Sequence, residues 1–116
     1  LFVAQNFVLD GLLYPLVFDR FDARVLAHGG AAFPMLTEFI VEWHSESGRW
    51  VDAMLKLAAA ASPANHRHLE TWLAQWLPAA AAALEPLAVY AFGDTVALHE
   101  VTAGLRTRAG KLGLNA

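Results

Sequence analysis

The chain contains no cysteine among its 116 residues. That excludes disulfides, thiolate metal sites and a cysteine nucleophile, and it suits a reducing compartment. Charge is also scarce: 16% of residues are charged, the net charge is −3 and the pI is about 5.9. No basic run occurs anywhere, which argues against nucleic acid as a partner. Long apolar runs are missing too. The longest uncharged stretch, Thr71 to Leu84, is 14 residues and carries Gln75 and Pro78. A bilayer span takes roughly 20, so no membrane segment is expected. There is no Gly-rich phosphate loop, no HExxH and no supported Ser/His/Asp order. No charged n-region or small-residue cleavage site marks a signal peptide, and a cytoplasmic location is expected. The first residue is leucine and helical pattern begins at once, as in an N-terminally truncated piece of a longer protein.

What is present points to packed helices. The chain is 57% hydrophobic, and 23 of its residues are alanine, the best helix former. Four tryptophans, seven phenylalanines and two tyrosines supply bulk. A domain this small buries only about two-thirds of its unfolded surface. So apolar a chain should therefore need a covering partner, or more of its own polypeptide. No strand alternation and no internal repeat are visible. The fold class expected is all-α, a single helical domain fragment over residues 1–116.

The segments follow from punctuation. Phe2, Asn6, Leu9 and Leu13 form a helical row in the first segment, which runs to about Ala27. Pro15 is expected to kink or break it, and Gly29–Gly30 to end it. Pro34 suits the first turn of the second helix. There Leu36, Ile40, Trp43, Ser47, Trp50, Met54 and Leu57 repeat with a/d spacing, which predicts a core stripe with Trp50 inside it. Val51, Leu55 and Ala58 widen the stripe. Glu38, Glu42, Ser45, Glu46, Arg49, Asp52 and Lys56 form a polar face. Gly48 costs about 1 kcal/mol inside a helix, which calls for a close approach at Ser47–Gly48. Ser62–Pro63 reads as an N-cap followed by a first-turn proline. Leu69, Trp72, Trp76, Ala80 and Ala83 mark the next face, and Pro78 and Pro86 predict two or three helical pieces between Pro63 and Phe92. Gly93 closes that segment and Asp94 caps the last one. Its stripe is Leu98, Val101, Leu105, Ala109 and Leu112, with Arg106, Arg108 and Lys111 near its C-terminal end.

Three constellations could carry chemistry. Glu38, Glu42 and Glu46 stand one turn apart, but di-iron helical bundles pair such carboxylates with Glu-x-x-His, and this chain has none. His44 lies on another side of the helix from Glu42. Arg49 follows Glu46 at i+3 and Lys56 follows Asp52 at i+4, which favours a solvated stripe. His66, His68 and Glu70 form the densest histidine cluster, yet His66 and Glu70 alone do not make a zinc site. His28 and His99 have no partner in sequence. Trp43, Trp50, Trp72 and Trp76 at helical spacing fit core or interface better than a ligand pocket. No catalytic, cofactor-binding or metal residue is therefore assigned.

The strings LFVAQNFVLDGLLYP (Leu1–Pro15), WHSESGRWVDAMLK (Trp43–Lys56), ANHRHLETWLAQW (Ala64–Trp76) and ALEPL (Ala83–Leu87) carry a family resemblance. In order and spacing the chain resembles the C-terminal part of the β subunit (P1-type) of the hydroxylase component of bacterial multicomponent phenol hydroxylases and related di-iron aromatic monooxygenases. The resemblance implies a ferritin-like helical bundle, here a truncated set of about four to six helices. It implies a non-catalytic β subunit without iron ligands, roughly the last third of it. It also implies partners: a di-iron α subunit, a small γ subunit in an (αβγ)2 assembly, an effector protein and an NADH-driven reductase. The reaction implied is O2-dependent hydroxylation of an aromatic ring. The competing reading is a helical protein-interaction or ligand-binding module unrelated to oxygenases.

Overall fold

Three breaks divide the chain into four helical rods. Gly29 and Gly93 adopt φ of 85° and 84°, the left-handed conformation that ends a helix and that glycine alone enters freely. Ser62 is extended, and its Oγ accepts the Asn65 backbone N–H at 3.1 Å. The computed structural model describes residues 1–116. Helix α1 is composite, with π-helical Val3–Leu9, α-helical Asp10–Tyr14, π-helical Pro15–Phe21 and α-helical Asp22–Ala27. Helices α2 (Ala32–Ala61), α3 (Pro63–Phe92) and α4 (Val96–Lys111) complete the all-α fold. The N-cap of α4 is Thr95, one residue later than expected, and the Asp94 carboxylate before it accepts the Val96 N–H at 3.0 Å.

Two expected breaks do not occur. Pro15 keeps helical angles (φ −61°, ψ −37°) and opens the second π-helical stretch. The wider hydrogen-bond pattern there takes up the missing proline N–H without ending the rod. Pro78 and Pro86 lie inside one continuous 30-residue helix, α3. Both face solvent, while Leu73, Leu77, Leu84 and Ala88 pack the opposite side into the core. Each interior proline costs about 3 kcal/mol through a lost backbone bond and a ring clash, and the row of buried leucines, at about 1.5–3 kcal/mol each on full burial, offsets it.

The core comes from all four rods. Helix α1 contributes Val3, Phe7, Val8, Leu12 and Leu16, helix α2 contributes Val51 and Leu55, and helix α4 contributes Leu98, Val101, Leu105 and Ala109. Gly11 lets α4 close on α1, because a Cβ there would meet Leu105 Cδ1 at 2.8 Å. The last stripe is as the spacing predicts. The other three rows are shifted.

In α1 the buried row is Val3–Phe7–Leu12–Leu16, while Leu9 is exposed and Phe2, Asn6 and Leu13 are half-buried. The π-helical turns change the phase of the row. In α3 the buried row is Leu69–Leu73–Leu77–Leu84–Ala88, and Trp72 and Trp76 stand at its exposed edge. The largest correction is in α2. Val51 and Leu55 are 2% exposed, but Leu36, Trp43, Trp50 and Leu57 are 72%, 60%, 57% and 67% exposed. The heptad stripe is a second face of α2, beside the one that packs inward, and Trp50 lies on the surface. No helix is long and apolar enough to cross a membrane.

Candidate functional site

The second face of α2 is the most unusual surface of the molecule. Leu36, Phe39, Trp43, Trp50, Met54 and Leu57 recur at spacings of three, four or seven, so they line one side of the rod. Soluble proteins seldom leave so large an apolar stripe uncovered unless something docks there. Its inner edge runs along α1. The Trp50 ring meets Phe2 edge-on at 5.6 Å, and Trp43 lies 6.3 Å from Tyr14. Phe2 and Tyr14, both half-buried on α1, thus adjoin the α2 ridge. The outer edge is acidic, with Glu38 and Glu42 exposed and unpaired and Glu46 joined to Arg49.

Open apolar grooves flank α1 on its other side. One of about 630 Å³ runs between α1 and α3, from Leu1 and Leu9 to Trp76 and Ala83. Another, of about 360 Å³, lies between Val17, Phe21, Leu87 and Tyr90. All seven residues lining the latter are apolar or aromatic, so no converging polar groups orient a substrate there.

Titratable groups gather where α1, α2 and α4 meet. The His44 ring lies parallel to Tyr14 at 4.4 Å. Burial, and next the Arg108 guanidinium, hold the His44 pKa down, while Asp10 and Asp19 pull it up. Burial raises the pKa of both Asp10 and Asp19 from the ordinary carboxylate value, with His44 opposing. Arg108 reaches across from α4. Its Nε donates to Asp52 Oδ1 at 2.8 Å, its Nη2 lies 2.8 Å from the same oxygen, and Nη2 donates to Gly48 O at 3.0 Å. Its cationic carbon stands 4.8 Å from the Phe7 ring centroid. The close approach expected at Gly48 is therefore made by an arginine side chain, not by a helix backbone. Asp22, 8% exposed, accepts the Thr37 hydroxyl and ties α1 to α2, while its Oδ1 has no protein partner.

The other candidate residues serve local structure. His66 Nδ1 lies 3.7 Å from Glu70, and the His66 Nε2–H donates to Gly113 O at 2.9 Å. The Glu70 carboxylate accepts the Asn115 backbone and side-chain N–H groups, and this, chiefly the backbone bond, lowers its pKa. Together they hold the C-terminal tail against the start of α3. His68 stacks on Trp72, His28 Nδ1 bonds to Arg24 O, and His99 is exposed. Glu38, Glu42 and Glu46 stay on the surface of α2 with no histidine beside them, and no three His, Asp or Glu converge as metal ligands would. The donor set thus does not fit a di-iron centre, which needs four carboxylates and two histidines from facing helices. The polar network escaped the sequence reading because Asp52 and Arg108 are 56 positions apart. The unexplained Gly48 was its only local signal.

Comparison with known proteins gives a consistent set of relatives. A family model described as Methane/Phenol/Alkene Hydroxylase matches residues 1–62. The phenol 2-monooxygenase oxygenase component DmpL of Pseudomonas sp. (strain CF600) is 49% identical over 112 residues, covering 97% of this chain and 34% of that protein. The corresponding component MhpL of Acinetobacter pittii (strain PHEA-2) is 36% identical over 114 residues, covering 98% and 34%. A chain of the xenon-pressurized phenol hydroxylase crystal structure from Pseudomonas sp. OX1 superimposes with a TM-score of 0.92 at 38% identity, over 98% of this chain and 34% of that one. The chain therefore spans about a third of the length of the relatives it matches. Its helical arrangement is the ferritin-like one of phenol hydroxylase. By sequence, by architecture and by the family model that covers its first two helices, the chain belongs to the methane/phenol/alkene hydroxylase family.

Proposed function

We propose that this chain is the C-terminal third of a non-catalytic β subunit in the hydroxylase component of a multicomponent phenol hydroxylase. The observation that carries this reading is 49% identity to a phenol 2-monooxygenase oxygenase component along 97% of the chain. The scaffold role draws support from the chemistry present. The helices offer apolar faces and an internal polar network, while the chain has no Glu-x-x-His pair and the groove between Val17, Phe21, Leu87 and Tyr90 is lined by apolar and aromatic residues alone. In this reading the di-iron centre, O2 activation and the aromatic pocket belong to a partner α subunit. A γ subunit completes an (αβγ)2 assembly in the cytoplasm, and a reductase and an effector protein act on it. Family membership displaces the alternative of a helical module unrelated to oxygenases.

The test is purification of the full-length subunit with and without its neighbouring hydroxylase subunits, with metal analysis of each species. A complex whose iron resides entirely in the large subunit is the expected result. A lone full-length protein that carries stoichiometric metal, or that fails to associate with the large subunit, would overturn the proposal.

A further inference from the structure

Resting on the reading that this chain is one third of a larger subunit, we infer that the α2 ridge is the seat of one amphipathic helix from the remaining part of the same polypeptide, and that this helix carries basic residues along one border. Three observations lead there. First, the ridge has the geometry of a helix–helix seam. Residues 36, 40, 43, 47, 50, 54 and 57 keep a/d spacing, which over 21 residues spans about 32 Å and fits an antiparallel or parallel helix crossing at a shallow angle. Ser47 is the small residue in the middle, where two rods can approach closely.

Second, this chain leaves the seam open along α2. Phe39 is 69% and Met54 42% exposed. Phe2 and Tyr14 of α1 border the ridge through their contacts with Trp50 and Trp43, so the two helices form one trough. A trough between two antiparallel rods receives a third rod. The relatives are about three times as long as this chain, so they have the residues to supply one.

Third, the rim is acidic. Glu38 and Glu42 are unpaired along the outer edge, and Glu46 is only partly offset by its surface pair with Arg49. Covering the ridge with an acidic-bordered helix would place like charges side by side. Lys or Arg at the facing flank positions would instead complete e/g-type interhelical pairs.

Photo-cross-linking of the full-length subunit tests this. Trp43 is replaced by benzoyl-phenylalanine, and in a second variant Leu57 is replaced, so that failure of one to fold leaves the other. After irradiation the adducts are mapped by peptide mass spectrometry. Adducts from both positions to one helical segment of the same polypeptide, with Lys or Arg on its flank, are expected. A Glu38→Lys/Glu42→Lys pair should reduce their yield at least several-fold. Adducts to another subunit or to a second copy would overturn the inference, as would an uncross-linked ridge or a partner helix with acidic flanks. Iron content and association with the large subunit, measured on the same preparations, report separately on the proposed function.

Discussion

Removing Arg108 should disconnect α4 from α2, and the cost can be estimated from its contacts. The guanidinium directs Nε and Nη2 at Asp52 Oδ1, both at 2.8 Å, and gives a further bond to Gly48 O at 3.0 Å. The two side chains are 25% and 32% exposed, between a surface pair and a buried one. A surface pair is worth about 0.2–1 kcal/mol, and a hydrogen bond to a charged group about 1.5–3 kcal/mol. The partial exposure places the Arg108–Asp52 coupling at about 1–2 kcal/mol. Arg108→Ala loses in addition the carbonyl bond, about 1 kcal/mol, and the contact with the Phe7 face, about 0.5–1 kcal/mol. Its total is about 2.5–4 kcal/mol. Asp52→Ala should cost less, because it leaves Arg108 its carbonyl and its aromatic neighbour. A double-mutant cycle read by urea unfolding of the full-length subunit, compared at equal slope, isolates the coupling. A coupling below about 0.3 kcal/mol would refute the reasoning, because the pair would then be a solvent-screened contact.

His44 sets a pH dependence. Its folded pKa is depressed by burial and by Arg108, so the unfolded state, titrating near about 6.5, binds the proton first. The stability it contributes is complete above the unfolded value and is lost as pH falls through that value toward the folded one. The urea midpoint should therefore drop on acidification from pH 7.5 to 5.5, and His44→Gln should flatten that slope; an unchanged slope would refute the assignment. Asp10, raised by burial, works the other way, so Asp10→Asn should raise the midpoint at neutral pH. Ser62→Ala removes the bond that starts α3 and should cost about 1 kcal/mol in the same assay. Leu73→Ala empties a site 1% exposed and should cost about 2–5 kcal/mol, with thermal unfolding as the check.

How far the fold could be read in advance depended on what each pattern encodes. Stops and starts are local: Gly29, Ser62–Pro63, Gly93 and Asp94 act through their own backbone and side chains, and all behave as their chemistry dictates. The α4 stripe was legible because that short helix has a single apolar face, and the chain uses it. Proline misled because a whole row of buried leucines offsets its cost, and because a π-turn can absorb a lost donor, as at Pro15. The same π-turns displaced the α1 row by one position at its start and by three further along, which no period of 3.6 anticipates. The pairing of Tyr14 with His44 and of Asp52 with Arg108 depends on which helices become neighbours, and periodicity carries no such information.

The α2 stripe differs in kind from those errors. Periodicity reports that a helix face is apolar, not which chain covers it. Helix α2 has two such faces: a narrow one of Thr37, Val51 and Leu55 that this chain buries, and a wider one through Trp43 and Trp50 that it leaves open. The stronger heptad signal belongs to the open face. A lone domain would bury its best seam first, since Trp and Leu side chains yield more on burial than Thr and Val. That α2 spends its largest side chains on the face away from its own core is thus a statement about assembly. The sequence pattern was correct about a helix–helix contact, and the structure shows that this contact is not made within residues 1–116.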